Sequence, residues 1–154
     1  MPYKPTNLMS QMKPLLLLFI IGVLVSCDLV HTDIVISSKK VKSIYDGDTI
    51  TLKCIRDFKC KNNGLKIRLK GVDTPELKGK CQKEIKLARK AKQFTVDFVR
   101  NANIITLSYD QNDKYDRYGR LLAYLSVEGS DLSRSLIDNK LGRKYNGGKR
   151  QGWC

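Results

Sequence analysis

The chain has a single histidine in 154 residues, and that residue, His31, lies in a stretch that reads as a polar tether. Its scarcity removes the commonest general base and the commonest zinc ligand. Histidine-based hydrolytic mechanisms and Ser-His-Asp triads are excluded unless the segment carrying His31 folds back. No C-x-x-C pair occurs among the five cysteines, which disfavours both thiol redox chemistry and a four-thiolate zinc site. Long apolar runs are lacking too. The longest, Leu15–Val25, has eleven residues, too few to cross roughly 30 Å of hydrocarbon as an anchor helix. Acids are scarce, 15 against 29 lysines and arginines. Catalysis, if present, must run on carboxylates, arginines, lysines or tyrosines.

The short apolar run follows Lys4 and Lys13, with no acid before it, and reads as the core of a signal peptide. "LVSC", Leu24 to Cys27, resembles a lipobox, in which Cys27 becomes a lipid-modified N-terminus. An ordinary cleavable signal is the other reading. Acyl chains at about 0.8 kcal/mol per buried CH₂ would anchor the protein to a membrane. The expected organisation is a lipoprotein-type signal over 1–26, a polar tether over 27–40 and one domain over 41–154. The product would be exported and membrane-anchored, facing the periplasm or the cell exterior, and Asp28 resembles an inner-membrane retention signal. Removing 1–26 takes away two lysines and no acid, so the formal net charge falls from +14 to +12. That excess suggests a polyanionic partner: nucleic acid, anionic lipid or acidic polysaccharide.

Four cysteines remain in the exported part, and an even count there reads as two disulfides. Three connectivities are open. Cys54–Cys60, closing a short excursion, with Cys81–Cys154 pinning the tail, is the favoured pairing.

Val35–Ile44 and Asp48–Cys54 are β-branched runs separated by "YDGD", which has the Asp-Gly of a tight turn. A third strand, Leu65–Val72, follows "KNNG". From Gln82 to about Asn101, Leu87, Ala91, Phe94 and Phe98 recur at helical spacing under a lysine-rich outer face. Ile104–Tyr109 and Leu121–Val127 return to strand composition. A second helix starts near Ser130, with Leu132, Leu136 and Ile137 on one face, and stops before Gly142. Five strands with a helix between the third and fourth is the order of an OB-fold barrel, an α+β but mainly β class with two packed helices. The tail "GRKYNGGKRQGWC" reads as loop, tied down because Trp153 and Cys154 call for burial.

Asp46 and Asp48 flank Gly47 at one hairpin, and Asp73 and Glu76 end another strand. If these strand ends converge, they make a cluster of hard oxygen ligands suited to Ca²⁺ or Mg²⁺. Asp46 taken alone reads better as a turn former, whereas Asp48 and Asp73 together do not. Arg68 sits inside an apolar strand, where an unpaired guanidinium would be costly. Arg120 follows "DRYG" at the start of another. Two guanidiniums beside a carboxylate cluster suit a phosphodiester, because each planar fork can grip two oxygens.

"DGDT" at 46–49, "IRLKGVDTPE" at 67–76 and "DRYGRLLAYL" at 116–125, in that order and spacing, resemble the staphylococcal nuclease (thermonuclease) family. The resemblance covers roughly residues 40–145. It implies an OB-fold endonuclease that hydrolyses DNA and RNA with Ca²⁺ and leaves 3′-phosphate ends; no protein partner is evident, and a monomer is expected. By position, Asp48 and Asp73 match the calcium carboxylates, and Thr74 the residue lending a backbone carbonyl. Glu76 matches the catalytic glutamate, and Arg68 and Arg120 the phosphate-gripping arginines. Tyr118 matches a tyrosine near the nucleotide, with Tyr145 a looser candidate for stacking on a base. Better-known secreted members continue into a further helix, and the Cys81–Cys154 bridge is expected to replace it as a clamp. The competing class is a catalytically inactive OB-fold module that binds nucleic acid or an anionic envelope polymer.

Overall fold

The structure is a computed structural model that describes residues 1, 31–60 and 64–154. The signal segment, Cys27 and most of the "KNNG" turn lie outside the described residues.

Two strands, β1 (His31–Ser37) and β2 (Val41–Ile44), flank a 3₁₀ turn at Ser38–Lys40, where one strand over Val35–Ile44 was expected. The Ser37 side chain accepts the Lys39 N–H and breaks the run. The tether reading also needs correction. Residues 31–37 pair along their whole length with β6 (Ile104–Asp110), from His31 opposite Asp110 to Ser37 opposite Ile104. Thr32, Ile34 and Ile36 point inward while the outward positions are mostly polar, an alternation that composition alone made look like linker.

β3 (Thr49–Leu52), β4 (Leu65–Leu69) and β7 (Leu121–Val127) complete the path β1-β6-β7-β4-β3-β2. The ladder between β4 and β7 is parallel, with Arg68 opposite Leu122, while the other ladders on that path are antiparallel. Because β1 and β2 are two arms of one bent segment paired to opposite ends of the path, they close the sheet into a barrel. This is the OB-fold. Ile50, Ile67, Leu107, Leu121 and Leu125 fill its interior.

The helix α1 (Gln82–Arg100) follows a short strand, β5 (Gly71–Asp73). The single strand expected over Leu65–Val72 breaks at Lys70 because Gly71 takes a positive φ of 80°. The buried stripe of α1 is Glu84, Ala88, Ala91, Thr95 and Val99. Of the residues expected to face inward only Ala91 is fully buried, with Leu87, Phe94 and Phe98 half-buried. The stripe is rotated because two of its polar members hold loops of the site, as shown below. After a two-residue strand, β8 (Ser130–Asp131), α2 (Leu132–Asp138) buries Leu132 and Leu136, with the Asp131 carboxylate capping its start through the Arg134 N–H. Arg143–Tyr145, read as loop, forms β9 and pairs antiparallel with β5. Disulfides join Cys54 to Cys60 and Cys81 to Cys154.

Candidate active site

The connection between β2 and β3 carries Asp46, Gly47 and Asp48. Asp46 Oδ1 accepts the Asp48 N–H at 3.2 Å, so it does form the turn. Gly47 is required by close approach: a Cβ there would lie 2.8 Å from Thr74 Cγ2 and 2.9 Å from Ala91 Cβ. The Thr95 hydroxyl of α1 donates to the Gly47 carbonyl at 2.8 Å. A helix, a strand end and a turn are thereby packed into one contact, and Asp48 is fixed at its centre. Asp48 Oδ2 accepts the Thr74 N–H and the Thr74 hydroxyl, each at 2.8 Å, and forms an ion pair with Arg68 Nη1 at 2.8 Å. Its other oxygen accepts one donor, the Thr49 hydroxyl at 3.1 Å.

Arg68 is only 4% exposed and Asp73 only 2%. The guanidinium is placed by the middle of β4, which has β3 on one side and β7 on the other. Its Nη2 faces Asp73 Oδ1 at 3.5 Å, too far for a hydrogen bond. Among the described residues these two atoms, Arg68 Nη2 and Asp73 Oδ1, are the buried side-chain polar atoms that make no hydrogen bond. Buried polar groups are satisfied in the great majority of cases, so a donor and an acceptor left over side by side call for a ligand.

Glu76 follows Pro75 out of the barrel, and its side chain is 46% exposed. The loop beyond it is shaped by Glu84, which is buried at the first turn of α1. Glu84 accepts the Lys80 N–H at 2.8 Å and the Glu76 N–H at 3.4 Å. Facing Glu76 is a residue the sequence reading missed. Arg150 donates through Nη1 to Glu76 Oε1, while its Nε lies 3.1 Å from Asp73 Oδ1, close enough to pair but outside hydrogen-bond alignment.

Arg120 stands at the start of β7, its Nε donating to Asp116 Oδ2 at 2.7 Å. Asp116 Oδ1 accepts the N–H groups of Tyr118 and Arg120, both at 2.9 Å, so one carboxylate builds the loop and aims the guanidinium. Tyr118 is 68% exposed, with Arg117 and Arg120 over its ring at 4.8 and 5.5 Å. Tyr145 lies at the end of β9, its hydroxyl donating to the Gly148 carbonyl at 2.8 Å.

Two clefts meet here. One, of about 1270 Å³, is bordered by Arg68, Arg120, Tyr118, Tyr145 and Arg150. The other is bordered by Asp46, Asp48, Glu76 and Lys92, and again by Arg120 and Arg150. The two arginines thus form a shared wall between a carboxylate side and an aromatic side.

Burial loads two of the carboxylates in this cluster. Burial, and then the neighbouring Asp48 charge, push the Asp46 carboxyl up to about 7. Asp73 is also raised, by burial first, with Arg150 pulling it back and Asp48 adding to the rise. The Arg150 guanidinium is held more firmly protonated: burial works against its charge, but Asp73 and Glu76 outweigh that. A cluster of hard oxygens under this electrostatic load, with one buried acceptor that makes no hydrogen bond, fits a divalent cation.

Fold geometry therefore brings Asp48, Arg68, Asp73 and Thr74 into direct contact, links Glu76 to them through Arg150, and sets Arg120 on the same cleft. Tyr118 and Tyr145 border the aromatic side without touching the carboxylates. Asp116, Glu84, Thr95 and Arg150 escaped the sequence reading. A signal existed for Asp116, since Asp and Arg four residues apart around "YG" is the pattern of a turn closed on its own guanidinium. None existed for Glu84 or Thr95, which look like solvated positions on a lysine-rich helix.

A five-stranded OB barrel with this carboxylate and guanidinium set has a match in sequence as well. Residues 66–151 match the family described as staphylococcal nuclease homologue, and the chain belongs to that family. Among its relatives, Endonuclease YncB of Bacillus subtilis is 35% identical over 100 residues, which is 64% of this chain and 43% of that one. The SPbeta prophage-derived endonuclease YokF of the same organism is 32% identical over 98 residues, 64% of this chain and 31% of that one. An uncharacterized protein of Methanocaldococcus jannaschii is 33% identical over 108 residues, covering 60% and 49%. The chain thus spans less than half the length of these relatives. The family match includes Arg68, Asp73, Glu76, Arg120 and Arg150 but starts after Asp48, which joins the set through its contacts with Arg68 and Thr74.

Proposed function

We propose that this protein is a Ca²⁺-dependent endonuclease that hydrolyses phosphodiester bonds of DNA and RNA and leaves 3′-phosphate ends. The observation that carries the reading is the unsatisfied pair of buried atoms, Asp73 Oδ1 and Arg68 Nη2. One is an acceptor suited to a cation and the other a donor suited to a phosphate oxygen, 3.5 Å apart, with Arg68 bordering the cleft. Asp48, Asp73 and the Thr74 carbonyl would hold the ion, which supplies charge neutralisation at the phosphate.

The protein's own groups then divide the work. Arg68 and Arg120 fork onto non-bridging oxygens, and because negative charge builds on five-coordinate phosphorus they stabilise the transition state more than the ground state. Both forks are held by carboxylates before substrate arrives, so little reorganisation is needed. Glu76, half-exposed at the cleft mouth, can orient a water and take its proton. The water oxygen bonds to phosphorus, the bond to the 5′ oxygen breaks, and that oxygen takes a proton from solvent. Tyr118 and Tyr145 offer ring faces for bases flanking the scissile bond. Sequence supports the further reading that the enzyme is exported and anchored through a lipid at Cys27, acting as a monomer.

The test is cleavage of single-stranded DNA by the purified, oxidised protein. Added Ca²⁺ should support it and a chelator abolish it. Glu76→Gln and Arg120→Ala should each slow it by about 10² to 10⁴. Undiminished cleavage in chelator, or in both variants, would overturn the assigned cation and residues, and no cleavage by the wild type would favour a module that only binds.

A further inference from the structure

Residues 146–154 have no regular secondary structure, yet they are anchored at several points. β9 pairs with β5 just before them. The Arg143 guanidinium stacks 3.5 Å from the Trp153 ring centre and donates to the Gly152 carbonyl at 2.9 Å and to Gln151 Oε1 at 3.1 Å. Tyr145 bonds to Gly148, and Cys154 is bridged to Cys81 at the entrance to α1. So many constraints on nine residues need a purpose, because each ordered residue costs about 1–2 kcal/mol of backbone entropy. The side chain they carry to the carboxylate cluster is Arg150.

We propose that Arg150 is a third substrate-contacting guanidinium. It rests on Asp73 and Glu76 in the free protein and moves to a phosphate oxygen when a cation takes its place. Three observations lead there. Arg150 Nε pairs with Asp73 Oδ1, the acceptor that a cation would claim, so the two positive charges compete for one oxygen. Arg150 borders both clefts, as Arg120 does, and so reaches the side where Arg68 and Arg120 face the substrate. Its side chain is 40% exposed and hangs on a loop with glycines at 147, 148 and 152, whereas Arg68 is locked in a strand; it has room to swing. Its resting bond to Glu76 also keeps that carboxylate from acting until the fork leaves.

The inference rests on the nuclease reading for the identity of its ligand, but its test does not require cleavage. Ca²⁺ binding is measured calorimetrically without nucleic acid. Binding of a short single-stranded oligonucleotide whose 5′ bridging oxygens are replaced by methylene, which blocks cleavage there and keeps both non-bridging oxygens, is measured in saturating Ca²⁺. Arg150→Ala should tighten Ca²⁺ roughly threefold or more, since a competing charge is gone, and weaken the oligonucleotide roughly tenfold or more, the worth of a charge-assisted bond. Arg150→Lys, which keeps the charge without the fork, should leave Ca²⁺ affinity near wild type and recover part of the oligonucleotide affinity. The opposite signs in Arg150→Ala are diagnostic. A residue that only pins the tail would weaken both, a pure latch would tighten both, and either result overturns the proposal, as does no change in either. Failure of the wild type to cleave ordinary DNA while the opposite signs persist would strike the nuclease reading and leave the placement of Arg150 intact.

Discussion

The site is built from two regions that hold charge by different means. In the barrel, Arg68, Asp48 and Asp73 are fixed by strand ladders, a glycine contact too close for a side chain, and mutual ion pairs almost out of reach of water. In the tail, Arg150 and Tyr145 are held by a disulfide, a cation stacked on Trp153 and a three-residue ladder. The first region cannot yield without unfolding and the second can. A cation site needs the former kind of rigidity, since selectivity depends on ligand placement, whereas a group that must release one partner and take another needs the latter.

Arg68→Ala is the sharpest way to break the contrast. It would leave Asp48 and Asp73 buried without a counter-charge, at a cost of about 3–5 kcal/mol. In a domain of this size that lowers the midpoint of thermal unfolding by roughly 12 °C or more. Arg150→Ala removes a guanidinium that is 40% exposed and leaves Arg68 facing the buried Asp73, so it should cost less, about 1–2 kcal/mol. Equal losses in differential scanning calorimetry would erase the distinction between the two regions.

The two disulfides extend the comparison. Cys81–Cys154 closes a separation of 73 residues and Cys54–Cys60 one of 6. Loop entropy alone assigns them about 4 and about 2 kcal/mol, as upper values. Replacing both cysteines of the long bridge by serine should lower stability more and, by freeing the tail, also reduce cleavage about tenfold, the share assigned to the Arg150 fork. The same replacement at 54 and 60 should leave cleavage unchanged, because that bridge borders neither cleft. Cleavage assays of the two double variants, each with its denaturant midpoint, separate the effects. Unimpaired cleavage without the long bridge would mean that the tail holds Arg150 by its noncovalent anchors alone.

This division also explains what could be read from sequence. The barrel half was legible because each of its residues belongs to a short motif: Asp48 in "DGDT", Arg68, Asp73, Thr74 and Glu76 in "IRLKGVDTPE". Local alternation and turn chemistry placed the strands that carry them, and apolar spacing placed both helices. Of the tail half the Cys81–Cys154 clamp was legible, but Arg150 was not, because it has no local pattern and reaches Asp73 through long-range anchors, among them the pairing of β9 with β5 across 70 residues of chain. The strand β1 was missed for a related reason. Its pairing with β6 is likewise long-range, and its outward residues, His31, Asp33 and Ser37, carry the composition of a tether. Glu84 and Thr95 show a third limit: a buried polar residue serving a distant loop is indistinguishable in sequence from a solvated one.

The smallest expected effect concerns Arg120, which belongs to neither region entirely, being set at a strand start but aimed by a loop. Burial alone would raise the Asp116 carboxyl, but hydrogen bonds from the Arg120 and Tyr118 backbone and from the Arg120 side chain hold it below its ordinary value of 3.8. A folded value below the unfolded one stabilises the protein above pH 3.8, and this contribution is lost as pH falls through the still lower folded value. Asp116→Asn keeps an acceptor oxygen but removes the charge, and should cost about 1 kcal/mol at pH 7. The gap between wild type and variant in denaturant midpoint should stay constant from pH 8 to pH 5 and narrow only below about pH 4. A gap that closes between pH 6 and pH 5 would show that Arg120 does not hold Asp116 ionised, and the guanidinium would then be aimed by the turn rather than by the ion pair.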